Sequence, residues 1–513
     1  MPFDVIKDLT EFSANYRLEK INTLSGDRDS SDKAEQLYWL LRDNKELSQM
    51  EAAGTIYGEG EEENSNRFKM LKRRLVKRLS NTVFFLDNEQ KNATDYRQGY
   101  VKAYREFAVA KILGVAGNGY AMIYFYQRVF KIASKYEITE LILASAKVLR
   151  KIAGIYDKDT KRYYMYNEIC TTNLIIFNAE AIAQSYHQEI LFNYGASPKS
   201  RKKVVEISKR AIEELDSKFS FKTKTIIYAF SYYCIKLQGV EASDDIDGMI
   251  ATANQAIEEV STKEFNTNNT IIHFFFYKIV AYIQYRKYDE GFDILDEVRD
   301  CLIPHTTPWF KFQEFTYLLF AHTKRYSEAY QVYLKVVRSK KFNKLPSVMQ
   351  QIWRLKRAYL YYLQKVGQVD ISAEPDPLGK FRVNKFLNNV PEFSTDKSGM
   401  NIPVLSLQIL ISILERRYDI SIERIEAIEK YTSRHIRRDE HFRSNCFIKA
   451  LVQLPVAGFH RAAAARMGKR FIEKLKTEII NLSGQNYHVE VVPYDVLWPI
   501  ALSSMEDKRW EGV

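Results

Sequence analysis

The chain has 513 residues, with 76 Lys and Arg against 64 Asp and Glu, a net charge of +12. Only 20 Gly and 12 Pro occur, below average usage of roughly 7% and 5%. This excludes a fold of many tight turns and short strands and favours long helices. With 46% hydrophobic residues, 34 Tyr and 30 Phe against 5 Trp, there are large rings enough to fill the gaps between crossing helices.

Taken in order, "MPFDVIKDLTEFSANYRLEK" lacks the basic and apolar regions of a signal peptide. Residues 1–58 read as two or three short helices, with "LSGDRDSSD" as a loop and helix start. "GEGEEENSN" (58–66) reads as an acidic loop. The helix "RFKMLKRRLVKRL" (67–79) then places Phe68, Leu71, Leu75 and Leu79 on one stripe. Lys69, Lys72, Arg73, Lys77 and Arg78 cover the rest of it. Helical patterns fill 95–365, broken at "GVAGNG", "YGASP" and "CLIPHTTP".

Pro375, Pro377, Pro391 and Pro403 mark 371–403 as a linker, with a short helix around 380–389. Helices resume at 404–482. Pro493 and Pro499 forbid a long helix in the tail, where Val-rich 488–492 reads as the one strand. The apolar tail with Trp498 is expected to cap the last helices. The domain reading is an N-terminal helical extension (1–94), a helical array (95–370), the linker, and a C-terminal helical region (404–513).

One shape recurs. "YIQYRKYDEGFDILDEV" (282–298) returns as "FAHTKRYSEAYQVYLKV" (320–336), "SILERRYDISIERIEAI" (412–428) and "FKIASKYEITELILASA" (130–146). Tyr136, Tyr288, Tyr326 and Tyr418 each follow a base. Three positions on stands a small residue: Thr139, Gly291, Ala329 or Ser421. Leu143, Leu295, Tyr333 and Ile425 come four later, then Ala146, Val298, Val336 and Ile428. This spacing describes a helical hairpin with the Tyr at the turn, a close approach at the small residue and one buried face beyond it. Two copies lie 38 residues apart, as in a helical repeat array.

These residues resemble the tetratricopeptide repeat family, well over 270–340 and loosely over 120–150 and 405–430. The first helices lack the family's Trp-to-Leu-Gly pattern, and the usual period is about 34. The resemblance implies an all-α, tetratricopeptide-like solenoid of helical hairpins. It also implies a non-catalytic scaffold or adaptor whose concave surface binds a partner protein or peptide. Unrelated hairpins obeying the same packing rules are the other reading. The positive balance points to an acidic partner, to nucleic acid or to an anionic surface. It selects none of them, and is equally read as compositional.

Several motifs carry chemistry on one reading and none on the other. Lys69, Lys72, Arg73, Lys77 and Arg78 hold phosphates or form a solvated face. "SPKSRKKVVEISKR" (197–210) shares that ambiguity. "KRYYMY" (161–166) can stack nucleobases, but packing between hairpins is the better expectation. "RHIRRDEHFR" (434–443) places Arg434 and His441 seven apart on one helical face. It resembles the R-x(4–6)-H signature of the HEPN ribonuclease superfamily. That resemblance implies an Arg steadying the scissile phosphate and a His handling the proton of the attacking hydroxyl; a charged helix end is the other reading.

"GVAGNGY" lacks the strand–loop–helix context of a phosphate cradle and reads as a turn. Cys170, Cys234, Cys301 and Cys446 are far apart, without CxxC, and read as buried free thiols in a reducing compartment. The spacing of His435, His441, His460 and Cys446 does not favour a metal site. "IIHFFFYKIVAYI" and "IPVLSLQILISIL" fall short of the roughly 20 residues that span a bilayer. The expectation is therefore a cytoplasmic, non-catalytic scaffold with a protein or peptide partner and no cofactor or metal. A nucleic-acid binder using the basic helices, or a metal-independent ribonuclease, is the alternative.

Overall fold

A computed structural model describes residues 27–44, 47–58, 60, 62–83, 95–193, 198–219, 224–370, 376–388, 401–435, 442–480, 490–508 and 510. Among them every regular element is helical and no strand occurs. The chain divides into two units, Met1–Phe177 with Glu264–Asn266, and Asn178–Lys263 with Thr267–Val513.

Unit one begins with α1 (Lys33–Asp43), α2 (Gln49–Tyr57) and α3 (Asn66–Val83). Asp32 caps α1 by accepting from the Ala34 N–H at 2.7 Å. Ser48 and Glu51 form a reciprocal capping box on α2. Phe68, Leu71 and Leu75 of α3 are buried against Ala34, Leu37, Ala52 and Ala53, so the 3–4 spacing of the stripe is realised.

Next come α4 (Asp95–Val115), α5 (Gly119–Lys135), α6 (Thr139–Lys151), a π-helical turn over Ile152–Tyr156, and α7 (Thr160–Asn193). Ala103 and Ala110 on α4 and Ala121, Val129 and Ala133 on α5 are fully buried, which lets the backbones approach closely. Arg128 grips Glu106 with Nε and Nη2, the Nε bond being 2.9 Å. The α7 helix contributes to unit one through Phe177 and to unit two from Asn178.

Unit two contains α8 (Pro198–Lys218), α9 (Ile226–Ala242), α10 (Ile246–Ser261), α11 (Asn268–Gln284), α12 (Tyr288–Arg299), α13 (Thr307–His322) and α14 (Tyr326–Val337). It continues with α15 (Ser347–Lys365), α16 (Val383–Asn388), α17 (Asn401–Leu414), α18 (Tyr418–His435), α19 (Phe442–Val456), α20 (Arg461–Lys476) and α21 (Tyr494–Ser503). Apart from the short α16, neighbours in sequence pack on one another, α11 also meets α13, and α15 also meets α17.

Five hairpins turn in the same way. Glu137, Asp244, Arg286, Lys324 and Arg416 adopt left-handed φ of 54–62°. The next N–H reaches back five residues in each: Ile138 to Ala133, Asp245 to Val240, Lys287 to Tyr282, Arg325 to Phe320 and Arg417 to Ser412, at 2.8–3.0 Å. This backbone closure satisfies a carbonyl left open at the helix end.

The turn fixes the register of the repeated shape. Tyr288, Tyr326 and Tyr418 each open the second helix, two positions after the left-handed residue. Leu295, Tyr333 and Ile425, and then Val298, Val336 and Ile428, are buried behind them. The copy at 130–146 is three residues out of register. There Thr139 opens the helix, while Tyr136 ends the preceding one. A Cβ on Gly99 would overlap the Tyr136 ring, and the Tyr136 hydroxyl donates to Asp95 at 2.6 Å. Packing against α4 has captured this tyrosine.

The small residue also differs from expectation. A Cβ on Gly291 would come within 3.0 Å of Leu319 Cδ2, so it admits α13 of the next hairpin rather than its own partner helix.

Except for α5, which exposes Tyr120, Gln127 and Lys131, the first helices of these hairpins are covered on nearly every side. No residue of α9 is exposed, none over 402–414 of α17, and α13 buries everything from Phe312 to Leu319. A helix apolar all round is a buried helix.

The tail packs on the last helices: α21 meets α17, α19 and α20. The Phe447 and Tyr494 rings stack at 4.3 Å, and the Trp498 ring occupies the space a Cβ on Gly468 would need. The tail also reaches back along the chain. Arg443 grips Glu490 at 2.6 and 2.9 Å and Asp495 at 3.2 Å. Arg286, in the α11–α12 turn, holds Asp495 at 2.7 and 2.8 Å. His322 Nε2 donates to the Glu490 carbonyl at 2.7 Å.

The expected strand does not form over 490–492, and 488–489 lie outside the described residues. Val491 and Val492 are buried among helices that offer no strand to pair with, and the Glu490 carboxylate accepts the Tyr494 N–H at 3.0 Å. No helix among the described residues is long and apolar enough to cross a membrane.

Candidate functional site: a basic, tyrosine-lined cleft

The site is built where α6 gives way to α7. The α6 helix ends on Lys147, Arg150 and Lys151, an arrangement its negative C-terminal dipole favours. The chain then widens into the π-helical turn, whose Ile152 and Ala153 are buried. Such turns are frequent at functional sites. Lys158 takes a left-handed φ of 52°. Asp159 donates its N–H to the Ala153 carbonyl at 2.8 Å and accepts the Arg162 N–H at 2.9 Å, opening α7.

Between these segments lies a cleft of about 850 Å³ lined by Lys147, Arg150, Lys151, Gly154, Ile155, Lys158, Thr160, Tyr163 and Tyr164. Four of these residues are cations and none is a carboxylate. Arg150 donates to Asn167 at 2.8 Å. Arg162, beside the cleft, pairs with Asp157 at 3.1 Å.

Gly154 has a steric reason to be glycine: a Cβ there would lie 2.8 Å from Tyr163 Cδ2. The Tyr163 ring therefore rests on the backbone of the turn. It meets Tyr164 edge-on, with centroids 5.3 Å apart. The expectation that "KRYYMY" packs between hairpins holds for Tyr166, 7% exposed, and fails for Tyr163 and Tyr164, 37% and 64% exposed. Tyr166 faces α5, meeting Phe130 edge-on at 5.7 Å, while its neighbours turn outward.

The five cations singled out on the basic helix α3 divide between two roles. Lys72 donates to Gln49 at 2.6 Å and lies over the Phe68 ring, and Arg78 pairs with Asp32 at 3.0 Å. Lys69, Arg73 and Lys77 are exposed, four residues apart along one row. In the second basic stretch Arg201 holds the Glu241 and Ala242 carbonyls and Asp244, and Arg210 pairs with Glu189. These arginines fasten helices. "GVAGNGY" forms the α4–α5 turn, with Gly117 at φ 83°. His441 and the side chains of Arg434 and His435 lie outside the described residues.

Two buried pairs resemble reactive groups. Cys234 Sγ lies 3.5 Å from His273 Nε2. Burial pushes the thiol well up and the imidazole down to about 4, so both are neutral and a thiolate nucleophile is not formed. Lys356 is fully buried, 3.4 Å from Glu314 and over the Trp353 ring. Burial drives it down to about 8 against the pull of Glu314. Burial alone would raise Glu314, but Lys311 and Lys356 hold it at about 2. Among the described residues no group of three His, Cys, Asp or Glu is placed to hold a metal ion; His460 accepts the Ala463 N–H at the start of α20. All four cysteines were expected to be buried; the structure buries three of them and leaves Cys301 exposed.

Sequence reasoning did not single out Lys147, Arg150, Lys151 and Lys158. The available signal was Gly154 within a helical pattern, flanked by bases on both sides. No protein-family model, curated protein or solved structure matches the chain; the tetratricopeptide resemblance rests on its own residues.

Proposed function

We propose that the chain is a non-catalytic scaffold, a tetratricopeptide-like array of helical hairpins that holds a partner protein. The register shared by the hairpins opening at Tyr288, Tyr326 and Tyr418 supports the array. The first helices α9, α13 and α17 are covered, and the tail occupies the Arg286 and His322 side chains. The partner therefore binds elsewhere than on those faces.

The observation that carries the reading is a set of exposed apolar residues flanking the α4–α5 turn of unit one. Val115 is 93% exposed and Tyr120 71%, on either side of the α4–α5 turn, and Ile112 stands exposed one turn earlier. Large apolar groups clustered in water mark an interaction surface. The net charge of +12 fits a partner whose docking segment is acidic.

The test is affinity capture of the tagged chain from its own cells, split into nuclease-treated and untreated halves. A specific protein should survive nuclease and be lost from the Val115→Asp/Tyr120→Ser variant, whose helical circular dichroism should be unchanged. Loss of all specific material after nuclease, with nucleic acid in the untreated half, overturns the scaffold.

A further inference from the structure

We propose that the cleft between α6 and α7 binds nucleotide units, a phosphate carried beside a planar base, with Lys147, Arg150, Lys151 and Lys158 on the phosphates and Tyr164 stacking on the base. The inference is independent of the protein partner, which the exposed residues flanking the α4–α5 turn would hold.

Three observations converge on it. The first is charge. Four cations surround one cavity with no carboxylate in its lining. Where unit two collects charges it supplies acids in answer, as Glu490 and Asp495 answer Arg443 and Arg286. Cations left facing one space without acids raise the local concentration of an anion.

The second is the exposed ring. Tyr164 stands largely in water beside those cations, although the same helix buries Tyr166 two residues later. An aromatic face next to a cationic track is the chemistry that holds single-stranded nucleic acid without reading its sequence. A carboxylate peptide would use the cations and leave the ring without a role.

The third is preorganisation. The π-helical turn, the left-handed Lys158 and the Tyr163 ring seated on Gly154 fix the cleft wall before any ligand arrives. A volume of about 850 Å³ is within the usual range for a small-molecule or cofactor pocket. It suits one nucleotide with part of its neighbour.

The test is fluorescence anisotropy on the full chain with four probes: a labelled single-stranded oligonucleotide, its duplex, a labelled mononucleotide triphosphate, and an acidic peptide of equal charge. Inorganic tripolyphosphate serves as competitor. The single strand should bind, with a log–log salt slope of about −2 to −3 for three to four phosphates engaged. Lys151→Glu/Lys158→Glu should weaken it at least tenfold and flatten the slope. Tyr164→Ala should weaken it roughly 5- to 100-fold at unchanged slope.

Cleft-dependent binding of the mononucleotide, with the strand no tighter, also supports the proposal and assigns the free nucleotide as source. Four results overturn it. They are absence of binding to either nucleotide probe, equal binding of the acidic peptide, indifference to Tyr164→Ala with full competition by tripolyphosphate, and strand binding lost only on charge reversal at Lys69, Arg73 and Lys77. All the substituted side chains in the cleft are exposed or half-buried, so unchanged helical circular dichroism will separate lost binding from lost fold. Nuclease-resistant capture of a protein together with a silent cleft would leave the scaffold standing and remove this inference alone.

Discussion

The tail clamp of unit two and the α6–α7 cleft of unit one both concentrate charge, to opposite ends. In the clamp Arg443, Glu490 and Asp495 are almost wholly buried, and every charge faces its opposite. Arg443 also donates to the Leu475 and Glu478 carbonyls at 2.6 and 3.0 Å. In the cleft, cations share a space without acids and two tyrosine rings stand in water. A buried, answered charge serves the fold. An exposed, unanswered one costs the fold little to keep and is available to a ligand.

The difference can be broken experimentally, the clamp first. Arg443→Ala leaves Glu490 and Asp495 buried beside only Arg286 and should cost about 3–5 kcal/mol, read as a lower urea midpoint. Acid should act next. Burial pushes His322 down to about 4, against the Glu490 carbonyl it bonds, with Arg286, Arg443 and Asp495 facing it. His273 is also held at about 4.

A histidine depressed on folding takes up its proton more readily when unfolded. Its contribution is therefore present above pH ~6.5 and lost as pH falls through 4, at most roughly 3–4 kcal/mol for each. Burial would raise Asp495, but Arg286 and then Arg443 hold it at about 2, so its share is lost only below pH ~4. Stability measured from pH 8 to 3 should fall in those two stages. A flat profile between pH 7 and 4 would mean the imidazoles are not buried as described.

Smaller effects sharpen the contrast. Gly468→Ala drives a methyl into the Trp498 ring and should cost about 1–3 kcal/mol as the tail shifts. Lys324→Gly should work the other way. A side chain in the left-handed region costs about 1–2 kcal/mol, and glycine's extra unfolded-state freedom returns about 0.5–1 kcal/mol. The net should be a stabilisation of about 0.5–1 kcal/mol, visible as a raised melting temperature. Substitution of the exposed Tyr164 should move stability by no more than about 0.5 kcal/mol.

How much of this was legible follows from how local each feature is. Three of the hairpins were readable because the base–tyrosine pair, the small residue and the buried face lie within twelve residues and obey helical spacing. The register at Tyr136 was not, because Gly99 and Asp95 on the previous helix decide it. The clamp was hidden for the same reason at greater range: Arg286 and Asp495 are 209 residues apart, and no periodicity links them. In a chain with 34 tyrosines, sequence does not separate Tyr164, in water, from Tyr166, in the core. Only the direction of α7 as it leaves the π-helical turn does so.

The most direct measurement is urea unfolding of Arg443→Ala beside Lys151→Glu/Lys158→Glu. The account predicts a loss of about 3–5 kcal/mol for the first and a change within about 0.5 kcal/mol for the second. A cleft variant as damaging as Arg443→Ala would contradict it, because the cleft cations would then be holding the fold together.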